Sequence, residues 1–412
     1  MKKAWSFTTY AVSAATFMLT ACSQDASKPR SPTHLPVAAA ADSMAPNIST
    51  GADGTILLSW IEPAGDGHAL RFSEYGDRAW SSPRVVAQGE NWFVNWADFP
   101  SVVALTESLW ASHWLVSQAA GGYAYNINAA LSADSGASWS EVFTPHNDGT
   151  ETEHGFVSLF PDSAGVGVLW LDGRKMINEY DENDVRASGM TLRAGTFARD
   201  TLPVRESLVD DLVCDCCQTD IALTADGPVA IYRNRTTGET RDIYVSRREF
   251  GEWQPGVAVS DDDWQIDACP VNGPVIQASG DRVAAVWFTG ADDVPLVKAA
   301  WSTDAGRTFS DPVTVDSDRP LGHVGATLLP DGDLVVNWLR SDSAGGGNLF
   351  VKRISAQGEM GVDVPVDLAA DVFAFSVPQI AAHDDELILA WTEENNGVYG
   401  IGSALIPLSM VD

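Results

Sequence analysis

The chain has 412 residues, with 56 Asp+Glu against 25 Lys+Arg and a formal net charge of −31. That much negative charge opposes binding to nucleic acid or to anionic lipid surfaces; it favours solubility and says nothing about fold. The length admits either two ordinary domains or one repeat architecture.

Lys2 and Lys3 precede an uncharged, mostly apolar run from Ala4 to Met18, followed by Leu19-Thr20-Ala21-Cys22. The run has the length of a secretory h-region and is shorter than the roughly 20 apolar residues of a membrane span. The segment resembles the lipobox of bacterial lipoproteins, which implies cleavage before Cys22 and lipidation of that cysteine. Ser23 and Gln24 follow, and the absence of Asp beside the cysteine resembles outer-membrane cargo, on the periplasmic or surface face. The expected layout is a signal peptide over 1–21, a lipidated tether over 22–46 rich in Ala, Ser and Pro, and a folded body over 47–412. Contact with the membrane would run through the lipid alone. Without Lys2 and Lys3 the mature chain carries 23 basic against 56 acidic side chains, a charge of −33.

The body repeats. An alternating apolar run ends in an aromatic at Trp60, Trp114, Trp170, Tyr232, Trp287, Trp338 and Trp391, at intervals of 54, 56, 62, 55, 51 and 53 residues. Asp-Gly or Gly-rich turns open most of these runs, as at Asp53-Gly54, Asp226-Gly227 and Asp331-Gly332. Short strands and tight turns at one period predict an all-β protein, a β-propeller of four-stranded antiparallel blades. Seven units are counted, with six blades as the alternative. The last unit, Val377 to Ser409, has room for three strands, and Leu35 to Ala40 is the expected donor of the strand that closes the ring.

A second motif follows some of these aromatics. Ser132-Ala133-Asp134-Ser135-Gly136-Ala137-Ser138-Trp139 and Ser302-Thr303-Asp304-Ala305-Gly306-Arg307-Thr308-Phe309 are full copies; Ser73 to Trp80 and Ser246 to Trp253 are degenerate ones. In such a turn the Asp carboxylate accepts backbone N–H groups, Gly takes a positive φ, and the aromatic packs back between strands. The copies match the S-x-D-x-G-x-[ST]-[WF] pattern of the Asp-box, or BNR repeat, and the chain resembles the sialidase superfamily of Asp-box propellers. The resemblance makes Asp134, Gly136, Trp139, Asp304, Gly306 and Phe309 structural and sets them on the face opposite an active site.

The mouth face should hold residues just before the first strand of each blade and just after the second. Arg174, Arg233, Arg235 and Arg340 all follow second-strand aromatics, and converging guanidinium groups would bind a carboxylate through paired hydrogen bonds. The competing reading pairs them with local carboxylates such as Asp172 and Asp242. The resemblance implies a sialate-like acidic glycan as ligand, with Asp98 as the acid and Tyr232 or Tyr399 as nucleophile candidates. The chain departs from the family at the start of the first blade, where Ala45-Pro46-Asn47-Ile48 replaces Arg-Ile-Pro. The expectation is a monomeric, sialidase-like propeller that binds or hydrolyses acidic glycans; the alternative is a non-catalytic ligand-, metal- or protein-binding propeller.

The alternative rests on Cys214-Asp215-Cys216-Cys217 and on Cys269, before the first strands of two consecutive blades. Outside the cytoplasm four cysteines make two disulfides, for example Cys214–Cys217 and Cys216–Cys269. The other reading is a thiolate site for copper(I) or zinc, with His154 or His323 nearby.

Overall fold

In a computed structural model the chain is described over residues 31–412, except 119–121, 164, 179–183, 199–200, 342–345 and 368–371, and at residues 1, 3 and 4. Residues 5–21 of the leader and Cys22 lie outside the described residues.

Seven antiparallel sheets follow one another along the chain. Each begins with an inner strand: Met44–Thr50, Ser101–Ala104, His154–Asp162, Asp220–Thr224, Val275–Ser279, Pro320–Leu328 and Gln379–His383. All seven inner strands line one central channel of about 510 Å3. The protein is a seven-bladed β-propeller.

The repeat aromatics all fall on second strands and are all buried, at 2% exposure or less. Burying an indole or phenol leaves a polar hydrogen that needs an acceptor. Five of the seven solve this with a carboxylate: Trp60 donates to Glu62, Trp170 to Asp172, Tyr232 to Asp210, Trp287 to Asp262 and Trp338 to Asp316, at 2.6–3.0 Å. The same period therefore places an apolar body between blades and an acid at its tip.

The ring closes through its N-terminus. Thr33 and His34 pair with Leu405 and Ala404 on the last strand, Val398–Pro407, and the Leu35 N–H donates to the Ser403 carbonyl at 2.8 Å. The closing strand thus lies just before Leu35 to Ala40, inside the stretch expected to be tether. In the second blade the outer strand is reduced to one bridge, Ala129 to Phe143. Pro145 and Gly149 interrupt that stretch, and neither sustains a strand.

Both full Ser-x-Asp-x-Gly turns fold as hairpin ends. Asp134 Oδ1 accepts the Ser138 N–H at 2.9 Å and the Ser132 hydroxyl at 2.8 Å, and Asp304 Oδ1 accepts the N–H groups of Arg307 and Thr308 at 3.0 and 2.9 Å. Hydrogen bonds from Ser138 lead the causes that hold the Asp134 carboxyl down at about 2. Gly136 has φ +73°, and a Cβ there would meet the Phe72 and Trp110 rings at 2.8–2.9 Å. The Ser135 N–H reaches the Ser108 carbonyl and the Ala305 N–H that of Asp281. Both acceptors belong to turns between first and second strands, so the two motifs lie on the face opposite the mouth.

Candidate functional site

The mouth face is built from the links between second and third strands and from the segments that precede inner strands. Its four arginines do not converge. Arg174 sets Nε and Nη2 on Asp172 at 2.7 and 2.6 Å and Nη1 on Glu206 at 2.8 Å. Arg235 forks onto Glu239, as close as 2.6 Å, and reaches Asp215 at 3.4 Å. Arg340 grips Asp316 at 2.8–2.9 Å and Asp363 at 2.7 Å, with its guanidinium 4.1 Å above the Phe350 ring. Arg233 is 2% exposed and spends its fork on main-chain carbonyls of Asn272, Phe288 and Arg241 at 2.7–3.1 Å. No acceptor is common to any two of the four. The expectation of a shared carboxylate cradle gives way to local pairing, as anticipated for Asp172; Asp242 instead accepts the N–H groups of Asp263 and Trp264.

Asp98 is buried rather than presented to the mouth. Its Oδ1 accepts the Phe156 N–H at 2.8 Å, and its Oδ2 lies 2.9 Å from the Tyr125 hydroxyl, which is also 2.8 Å from Glu153 Oε1. One phenolic proton cannot satisfy two carboxylates, so the trio favours a further proton. Burial, against hydrogen bonds from Phe156 and Tyr125, pushes the Asp98 carboxyl up to about 7. Burial, helped by the charges of Asp98, Asp215 and Cys269 and opposed by the Tyr125 hydrogen bond, pushes Glu153 up to about 8. Sequence reasoning missed Tyr125 and Glu153. Tyr125 opens a third strand, Tyr125–Ser132, a class of position that a search of inner-strand approaches passes over. The two tyrosines it did name are elsewhere: Tyr232 donates to Asp210 at 2.7 Å, and Tyr399 packs edge-on against Phe373.

The cysteines do come together. The outer strand of the third blade, Thr201–Val213, ends against Asn234, and the Cys214 N–H donates to the Arg233 carbonyl at 3.0 Å. This anchors the turn that carries Cys214, Cys216 and Cys217. Cys214 Sγ lies 3.2 Å from Cys217 Sγ and 3.8 Å from Cys216 Sγ, and the three sulfurs form one group with separations within 4.8 Å. Cys269 interacts with Cys216 from a separate segment. The disulfide pairing expected for these residues names true neighbours, although no sulfur–sulfur bond joins them in this structure. Burial opposes ionisation of Cys214; hydrogen bonds from Cys216 and Cys217 and the charges of Arg241 and Arg233 outweigh it and hold this thiol well below the ordinary range. Arg241 Nη1 donates to Cys214 Sγ at 3.4 Å. Beside the cluster is a pocket of about 550 Å3, lined among others by Met176, Met190, Asp215, Arg235, Arg241 and Cys269.

Neither expected histidine joins the cysteines. His323 stacks on Trp96 and bonds the Ser376 carbonyl. His154 belongs to a second group able to hold a metal ion, with His146 and Asp148. The two imidazoles stack in parallel at 3.8 Å, and Asp148 Oδ2 lies 3.4 Å from His146 Nδ1 and 3.0 Å from His154 Nε2. The Ile127 N–H donates to His146 Nε2, which puts the ring proton on Nδ1, facing Asp148. Arg174 also reaches Asp148, at 3.4 Å. A proton and a guanidinium thus already serve this carboxylate; in the sulfur group one guanidinium, that of Arg241, reaches Cys214.

No family model matches the sequence, and no curated protein matches it. Solved structures do match in fold. The BP39L lectin from Burkholderia pseudomallei aligns with a TM-score of 0.57 at 11% identity, covering 90% of this chain and 96% of the lectin. A Dyadobacter fermentans protein of unknown function aligns at 0.50 and 13% identity, covering 92% and 98%. A GH93 α-L-arabinofuranosidase of Fusarium graminearum aligns at 0.48 and 12% identity, also covering 92% and 98%. At these identities the likeness concerns architecture.

Proposed function

We propose that this chain is a cell-envelope propeller that binds a soft, thiophilic metal ion at its cysteine group, Cu(I) or Zn2+, and that it is held to the membrane by lipid at Cys22. The observation that carries the reading is the sulfur geometry. A thiolate shell with metal–sulfur bonds of about 2.3 Å has sulfur–sulfur edges of about 3.8 Å; the Cys214–Cys216 separation is 3.8 Å, and Cys217 stands closer to Cys214, at 3.2 Å. Several thiolates around one such ion carry net negative charge, and Arg241, with Arg233 behind it, supplies the compensating cations. Metal analysis with thiol counting on protein isolated without chelator tests this. One Zn or Cu per chain, with the Cys214, Cys216 and Cys217 thiols protected until denaturation, is the expected result. Disulfides found by mass spectrometry, or freely titratable thiols without metal, would overturn it. Incorporation of labelled fatty acid, lost in Cys22→Ala, tests the anchor.

A second reading, glycoside binding or hydrolysis, draws on the trio in which the Tyr125 hydroxyl lies between Glu153 and Asp98, the residue that the sialidase resemblance offers as the acid. Sialoside turnover abolished in Tyr125→Phe supports it; neither turnover nor sialoside binding by the wild-type protein removes it.

A further inference from the structure

We infer that the bound ion is exchangeable Cu(I), and that it enters and leaves through the pocket beside the cluster by way of Cys269. The inference rests on the metal-binding reading above and assigns it a cargo and a port.

The four cysteines are not equivalent. Cys214 and Cys217 are each 1% exposed, and Cys216 is half-buried, all on one turn anchored by main-chain bonds. Cys269 is exposed and lies outside the three-sulfur group, and of the three cysteines Cys216 affects it most. It sits on the link before the fifth blade, where Asp267, Ala268 and Cys269 are all exposed. That link is tied at Ile266, whose N–H donates to the Glu239 carbonyl, and again at Asn272, which bonds the Leu321 carbonyl and the His323 N–H. Cys269 can therefore move without disturbing the turn that holds the other three.

Three fixed sulfurs suit a three-coordinate d10 ion better than the closed four-ligand shell of structural zinc. Two thioethers share the wall of the 550 Å3 pocket with Cys269: Met176, 42% exposed, and Met190, 1% exposed. Thioethers contribute little to zinc and select Cu(I) among the common ions. The Met176 thioether and the Cys269 thiol thus stand exposed at the pocket, ahead of the buried thiol group, which binds more strongly than either.

The exchange is a ligand substitution without redox change. On entry Cu(I) bonds to Cys269 sulfur, whose proton passes to solvent. It then transfers to the Cys216 sulfur as the Cys269 bond breaks, and the proton released by Cys216 passes to Cys269. On exit copper returns to Cys269 as the proton moves back to Cys216, and a thiolate acceptor in the pocket bonds to copper as Cys269 releases it and takes a proton from solvent.

The test uses the purified full chain loaded anaerobically with Cu(I), and follows transfer of copper to bicinchoninate by its colour, normalised to copper bound. Cys269→Ser is expected to slow transfer by about tenfold or more, and Met176→Leu to slow it by a smaller factor. Cys214→Ser is expected to lose copper. Transfer by Cys269→Ser at the wild-type rate would overturn the port. Zinc uptake without Cu(I) uptake by the wild type would overturn the cargo and leave the metal site standing. Uptake of neither ion would remove the metal-binding reading itself.

Discussion

Arg233 separates a structural reading of the mouth from a ligand-binding one. Its side chain is 2% exposed and makes four hydrogen bonds to three main-chain carbonyls, those of Asn272, Phe288 and Arg241, while its guanidinium lies 4.8 Å from the Trp264 ring centroid. These carbonyls belong to the link before the fifth blade, to that blade's second strand and to the link within the fourth. The residue therefore staples two blades. Truncation to alanine leaves buried carbonyls without donors and a cavity where the fork was. Each orphaned acceptor costs about 1–3 kcal/mol, less what entering water restores, so the loss should total about 3–5 kcal/mol. Urea unfolding of wild type, Arg233→Ala and a control, Arg186→Ala, measures it. Arg186 is half exposed and pairs with Asp211 at the surface, so its loss should cost under about 1 kcal/mol. A carboxylate-binding arginine would behave the other way, with little effect on unfolding and a large one on ligand affinity. An Arg233→Ala midpoint equal to that of the control would refute the staple.

Three further outcomes follow from the geometry. Gly136→Ala forces a Cβ to within 2.8–2.9 Å of the Phe72 and Trp110 rings at φ +73°, and should destabilise by about 1–3 kcal/mol in the same unfolding assay. Asp98 and Glu153 are raised from 3.8 and 4.5 to about 7 and about 8, and Asp220, buried against the Ile276 and Ile221 N–H groups, is raised to about 7. Each binds its proton more tightly folded than unfolded, so stability should fall as pH rises from about 4 to about 8. Asp98→Asn should flatten part of that slope, and an unchanged slope would count against the buried proton. Removing residues 31–36 strips the Thr33–His34 pairing from the last strand and should lower the unfolding midpoint; an unchanged midpoint would show that the ring does not depend on this closure.

The fold was legible because its determinants are local and repeated. One aromatic per blade, at a nearly constant interval, reports a strand that must be buried on both faces, and seven such reports leave little room for another architecture. The closing strand was less legible. Thr33 and His34 have no pattern of their own; they are strand because the third strand of the last blade needs a partner. The reduced outer strand of the second blade is a similar case, since a propeller tolerates a frayed outer edge and nothing in the period demands that it be complete.

The site was legible only where residues act on their neighbours in sequence. Three cysteines within four positions must meet, and they do. Cys269 was placed beside them by the count of blades, which is also local information. Between the two readings of the arginines the geometry favours local pairing, for a reason already present in the composition. With 56 acidic side chains to 25 basic ones, an exposed or half-buried arginine in this chain readily meets a carboxylate, while the buried Arg233 binds main-chain carbonyls instead. Asp172, Glu206, Glu239, Asp316 and Asp363 are all within hydrogen-bond reach of an arginine that had been assigned to a ligand. Scarcity of a cation in an acidic chain is therefore evidence that it is engaged rather than that it is reserved. The same excess of acid bears differently on the cysteine group, where Arg241 keeps Asp215 at 3.5 Å and still donates to sulfur. A cation shared between a carboxylate and a thiolate neutralises the cluster without filling it, and that leaves the sulfurs as the donors still able to take an ion from outside.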